Sequence, residues 1–220
     1  MLIQVILSVK EVSQFLTKQL YFISLLLLIL CTSSACQSSI DCNNDIACMI
    51  TNNHPIKVEA CDLSGYRRAN VKVDIGYDSK QITRNYYGYT NNYRQLIYVQ
   101  ADNLILQTPS EEHHGHRLCD GQANVKGTEL RNYDKGHVIA DALGGVSNAY
   151  NITAQNSYLN RKGLQSELEH YLIDKLQNHH QVTNVEVIIS YPNSTTLIPD
   201  NYVFSWELDG VRQKVSFENK

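Results

Sequence analysis

One amphipathic helix stands between two strand-rich stretches, and that order restricts the fold more than any other feature of the chain. Residues 160–176 carry Leu164, Leu168, Tyr171, Leu172 and Leu176 at steps of three, four or one, which gives a helix one apolar face. Before it, residues 66–75, 81–90 and 93–100 alternate with the two-residue period of half-buried strands. Gly88 and Asn91-Asn92 supply turns there, and 103–107 is a further short apolar piece. Residues 136–142 read as a short buried strand or turn, broken by Gly144-Gly145. After the helix, 185–191 is a strand ended by Pro192, and 202–208 and 211–217 form a hairpin around Asp209-Gly210. Strands, one principal helix, then strands predict an α+β domain with a mainly antiparallel sheet.

The start of the chain has a different character. Residues 20–31 (LYFISLLLLILC) are an apolar run of 12, preceded by Lys18 and followed by Thr32-Ser33-Ser34-Ala35-Cys36. A spanning helix needs roughly 20 residues, so 1–35 reads as a signal peptide. An uncleaved anchor that recruits part of 1–9 is the rival reading. If Cys36 becomes the first mature residue and carries lipid, Cys42, Cys48, Cys61 and Cys119 remain, an even set for two bridges in an oxidising compartment. Of the three pairings, proximity favours Cys42–Cys48 with Cys61–Cys119. Ser-Ser-Ala-Cys lacks the leucine usual three positions before a lipidated cysteine, so a soluble secreted protein with one spare thiol stands beside the lipoprotein reading. The chain is therefore expected to be exported, as a secreted, periplasmic or membrane-anchored protein. Residues 36–60 are polar and read as a cysteine-containing linker, leaving 61–220 as the working domain.

Charge argues mildly against a nucleic-acid partner. The formal net charge is −3, and loss of 1–35 removes Lys10, Lys18 and Glu11, taking it to −4. Nucleic-acid binders usually carry a basic balance. A bound metal ion and local cations such as Arg67, Arg68, Arg131 and Lys135 would have to compensate. The 14 tyrosines cluster in the strand-rich first half. They suit a meander with wet edges, or a platform on which nucleobases stack.

The residues that carry chemistry lie between Asp134 and Glu169. Asp134-Lys135-Gly136-His137 places an imidazole near a strand end, beside a glycine that would let a substrate backbone approach. A neutral imidazole can take a proton from water when its other nitrogen is held by a hydrogen bond. Asn151 ends the connection from the histidine, and Asn160 sits at the helix start, where asparagine is also a good cap. An amide oxygen with several waters suits Mg²⁺, which dehydrates reluctantly. Glu169 lies nine residues beyond Asn160, two and a half turns on, so it reaches the metal's water shell only if the helix starts late or is irregular. Together these groups can hydrolyse a phosphodiester. A separate loop offers His113, His114, His116 and Cys119, with the chemistry for zinc or simply a bridged cysteine in a solvated loop.

This constellation resembles the DNA/RNA non-specific endonucleases, the ββα-metal nucleases, over roughly residues 65–210. Their Asp-Arg-Gly-His motif appears as Asp134-Lys135-Gly136-His137, their asparagine-rich segment as 151–160, and a glutamate follows at Glu169. The stretch 138–145 also fits. The resemblance implies a ββα-metal core whose principal helix carries the metal ligand. It implies His137 as general base, Asn160 as direct ligand of Mg²⁺ (or Mn²⁺), and Asn151 and Glu169 as polar support around metal and phosphate. DNA and RNA would be the substrates, and no obligate protein partner is evident. The departure is Lys135, where the family has arginine. A lysine is a point charge without a bidentate fork, so Arg67, Arg68 or Arg84 could supply a guanidinium, with Arg161 as a further substrate contact. The alternatives are an inactive surface nucleic-acid-binding module of the same fold, and a zinc hydrolase on the histidine loop.

Overall fold

Seven strands form the main sheet of the computed structural model, which describes residue 42 and residues 45–52, 54–76, 84–107 and 119–220. They are β1 (Ile56–Lys57), β2 (Lys72–Asp74), β3 (Tyr86–Thr90), β4 (Leu96–Asn103), β7 (Val182–Ser190), β8 (Asn201–Leu208) and β9 (Val211–Glu218), adjacent in that order. β1 and β2 are parallel, and every other pair is antiparallel. β5 (Tyr133–His137) and β6 (Ile152–Asn156) make a separate antiparallel pair. Three helices complete the described fold: α1 (Ile46–Asn52), α2 (Ser157–Arg161) and α3 (Leu164–Gln177). This is the mixed, mostly antiparallel architecture that the sequence predicts. The leader 1–35, Cys36 and the loop histidines His113, His114 and His116 lie outside the described residues. Among the described residues, no helix is long and apolar enough to cross a membrane.

Side-chain alternation explains how the sheet is covered. β8 turns Tyr202, Phe204 and Trp206 inward. β7 does the same with Val185, Val187 and Ile189, and a bulge at Asn184 (φ 48°) also brings Val182 to that face. Leu168 and Leu172 of α3 join the core formed by these strands. The turn at Asp209-Gly210 has positive φ at both residues (50° and 80°), the geometry that matches strand twist in a two-residue hairpin.

The opposite face of β3 and β4 carries Tyr89 and Tyr98, and α1 covers it with Met49. Their rings lie 5.4 Å apart, centroid to centroid. Residues 36–60 are thus no simple linker: Cys42–Cys48 staples the approach to α1, Met49 is buried, and β1 extends the sheet. The second bridge is Cys61–Cys119, so both favoured pairings are present. Tyr86, Tyr89, Tyr98 and Tyr202 are core side chains, which leaves no stacking platform at those positions. Burying a side chain of this size contributes about 1.5–3 kcal/mol.

Candidate active site

β5, β6 and the two helices after them assemble the site. Strand alternation puts Lys135 and His137 on one face of β5. Both line a cavity of about 320 Å³, together with Asn160, Glu169, Ser147, Asp120, Asp141 and the wall 119–122. Four of the expected residues, Lys135, His137, Asn160 and Glu169, therefore meet at one cavity.

The helix is irregular at the place that matters. Asn156 caps α2, its Oδ1 accepting from the amides of Tyr158 (2.9 Å) and Leu159 (3.3 Å). α2 then stops at Lys162, and Gly163 begins a new helix. A Cβ at Gly163 would come within 2.9 Å of the Leu159 Cα, so only glycine lets the chain fold back this tightly. The break turns α3 so that Glu169 reaches the cavity that Asn160 faces, despite their spacing of nine.

Asp134, unassigned in the sequence reading, organises the other side of Asn160. Arg161 grips its carboxylate with two bonds of 2.7 Å, Ser157 Oγ donates at 3.0 Å, and Asn160 Nδ2 donates at 3.4 Å. Partial burial would raise the Asp134 pKa, but these donors outweigh it and hold the carboxyl below its ordinary value. With its amide nitrogen turned to Asp134, Asn160 offers its oxygen as a ligand. Arg161 itself is committed to Asp134, although 68% of its side chain remains exposed.

His137 is fixed at both ends. Its carbonyl accepts from Nε2 of Gln155 and Nε2 of Gln165, each at 3.3 Å, and its ring Nε2 lies 3.1 Å from Ser147 Oγ. Gly136 makes room for Gln155, since a Cβ there would meet that side chain at 2.2 Å. The glycine thus serves the Gln155 contact and not the approach of a substrate backbone. Gln165 also donates to Glu169 Oε1 at 2.9 Å. Burial pushes the Glu169 pKa up to about 7 against that bond and the nearby His170.

Two expected site residues lie elsewhere. Asn151 is fully buried and holds the loop after His137: Oδ1 accepts from the Ile139 amide at 2.9 Å, and Nδ2 donates to the carbonyls of Ile139 and Val146 at 2.8 Å each. Its amide has no reach left for metal or phosphate. Arg67 is 4% exposed, its guanidinium donating to the carbonyls of Ala149 and Ile152 at 2.6 Å, so it supports the fold and not a substrate. Arg84 donates to Gln107 Oε1 at 3.0 Å, beside Gly144 and away from the cavity lining. Arg68 is exposed, its backbone amide bound to Tyr150 Oη. Among the described lining residues, Lys135 is the lysine or arginine, and its Nζ donates to Asn124 Oδ1 at 2.5 Å. Cys119, bridged to Cys61, has no thiolate to give a zinc ion.

The donor set fits a hard, hydrated cation. Among the described residues no group of three or more His, Cys, Asp or Glu could cage a metal. One amide oxygen and one carboxylate on a shared cavity match an ion that keeps most of its waters.

An antiparallel β pair feeding a short helix that bears the asparagine defines a ββα-metal nuclease framework. Residues 74–210 match the model of the family described as DNA/RNA non-specific endonuclease, and the chain belongs to that family. Over 135 residues it is 27% identical to the type VII secretion system protein EssD of Staphylococcus aureus strain USA300, which covers 60% of this chain and 21% of that protein. The EssD of strain Newman matches to the same extent. The chain thus spans about a fifth of the length of these curated relatives. Among solved structures, NucA from Streptococcus agalactiae with a magnesium ion bound is similar with a TM-score of 0.50 at 18% identity, covering 82% of this chain and 92% of that one. That likeness is one of fold.

Proposed function

We propose that the chain is an exported, metal-dependent endonuclease that hydrolyses phosphodiester bonds of DNA and RNA with little sequence preference. The observation that carries this reading is the convergence of His137 and Asn160 on one cavity, within the framework of a nuclease family. His137 accepts a proton from water, the water oxygen attacks phosphorus, and the 3′-oxygen leaves, giving 5′-phosphate ends. Asn160 would hold Mg²⁺ through its amide oxygen, with Glu169 steadying the waters around it. The ion, when bound, supplies charge neutralisation for the attacked phosphate. Asp134 keeps Asn160 turned toward the ion, and Lys135 adds a positive charge at the cavity wall. Contacts to phosphate in preference to base edges leave both nucleic acids as substrates. Export is supported by two disulfides in the described domain, which persist in oxidising compartments.

The test is incubation of the protein with supercoiled plasmid and with single-stranded RNA, in Mg²⁺ or in EDTA. Cleavage of both in Mg²⁺, abolished by EDTA and leaving ends that ligase accepts, is expected. A protein that shifts DNA on a gel yet never nicks it with Mg²⁺ or Mn²⁺ would instead be a binding module.

A further inference from the structure

Ser147 stands against the ring of His137 on an unusually fixed segment of chain. It is 2% exposed, and its Oγ lies 3.1 Å from His137 Nε2. Its amide donates to the Ala60 carbonyl at 3.0 Å, and its carbonyl accepts from the Ala123 amide at 2.8 Å. Those two partners flank the Cys61–Cys119 bridge, so the disulfide ties together the strands that grip Ser147 from both sides. Its neighbours are held as well. The Val146 amide donates to Ile75, the Val146 carbonyl accepts from Asn151, and Asn148 Nδ2 donates to Glu59. On the histidine side, β5 pairs with β6, and two glutamines hold the His137 carbonyl. The ring therefore meets a hydroxyl whose position is set by the fold.

A neutral imidazole carries its proton on one nitrogen and its lone pair on the other, and only the lone pair can take a proton from water. We infer that Ser147 is a positioning residue that selects the His137 tautomer, its Oγ accepting the Nε2 proton and leaving the lone pair on Nδ1 for the attacking water. The inference rests on the reading of His137 as general base. It adds a group that touches neither phosphate nor metal, so its removal acts on the chemical step and leaves binding alone. The serine costs the base nothing in charge, because a hydroxyl orients the ring without the negative charge that a carboxylate would bring beside the phosphate.

The test has a spectroscopic and a kinetic arm. With ¹⁵N-labelled histidine, metal-free, at a pH where the ring is neutral, the His137 signals are identified by their loss in His137→Ala. The wild-type ring is expected to be in the Nε2–H form, and Ser147→Ala to show a mixture of both tautomers. A wild-type ring in the Nδ1–H form, or the same pure tautomer in Ser147→Ala, overturns the inference. In plasmid cleavage with saturating Mg²⁺, Ser147→Ala is expected to lower kcat by about 10- to 100-fold with KM nearly unchanged, a smaller loss than removal of the base itself. Ser147→Thr, which keeps the hydroxyl, is expected to recover most of it. Unchanged kcat in a folded Ser147→Ala protein contradicts the role. His137→Ala retaining activity would instead sink the general-base reading, so the two failures are separable.

Discussion

The seven-stranded sheet and the β5–β6–α2–α3 corner are built by different means. The sheet is held by apolar burial: Val99, Val187, Phe204 and Tyr202 on one face, and Tyr89, Tyr98 and Met49 on the other. The corner is held by buried carboxamides whose partners are backbone groups. Asn151 fastens the loop after His137, Gln155 and Gln165 grip its carbonyl, Asn156 caps α2, and Asn219 donates to Ala154 and Pro199. Apolar contacts tolerate small shifts because dispersion has no direction, whereas hydrogen bonds fix distance and angle. A site that must place an imidazole and an amide oxygen around one phosphate gains more from the second kind of support. The sheet supplies stability and the corner supplies position.

That division can be broken by variants that separate activity from stability. The largest effect on cleavage with the smallest effect on folding belongs to Asn160→Ala. Its Mg²⁺-dependent rate should fall by about 100-fold or more, with an unfolding midpoint near wild type, because the lost contact to Asp134 is a long one. A large drop in stability would show that Asn160 serves the corner's structure. Met49→Ala is the mirror image. Truncating a fully buried side chain under the tyrosine face should cost about 2–5 kcal/mol in denaturant unfolding. The kcat of the folded protein should stay within about twofold of wild type, and a loss in kcat comparable to that of Asn160→Ala would erase the distinction between the regions.

Glu169 gives the smallest and subtlest contrast. Its pKa in the fold is about 7, above an ordinary value near 4.5. Between those values the folded protein retains a proton that the unfolded chain has lost, so its contribution falls as pH rises through this window. In EDTA, wild type should lose on the order of 2–3 kcal/mol of stability between pH 4.5 and 8 relative to Glu169→Gln. Parallel stability profiles for the two proteins would mean that the carboxyl is not desolvated.

The same contrast decides what could be read from the sequence. β7, β8 and β9 were legible because apolar positions alternate with exposed ones and Asp209-Gly210 marks the turn. His137, Asn160 and Glu169 were legible because their residue types and order match a hydrolytic motif. β6 was not, since Ile152–Asn156 is buried almost throughout, and its polar Thr153 and Gln155 are satisfied inside by Tyr202 Oη and His137. Asn151 looked like a site residue because a side chain that binds backbone carbonyls is chemically the same as one that binds a metal's waters. Arg67 looked like a surface cation because its partners, the carbonyls of Ala149 and Ile152, lie more than 80 residues away. Ser147 carried no sequence signal, being one serine in a loop until the fold sets it against the imidazole. The break at Gly163 was foreseeable only as a condition on Glu169.

The most direct measurement is the initial rate at which His137→Ala nicks supercoiled plasmid in saturating Mg²⁺, beside wild type, with unfolding curves for both. Loss of the base should lower the rate by about 10²–10⁴-fold while the melting temperature stays close to wild type. Nicking at a near wild-type rate by the folded variant would contradict the proposed chemistry at this cavity.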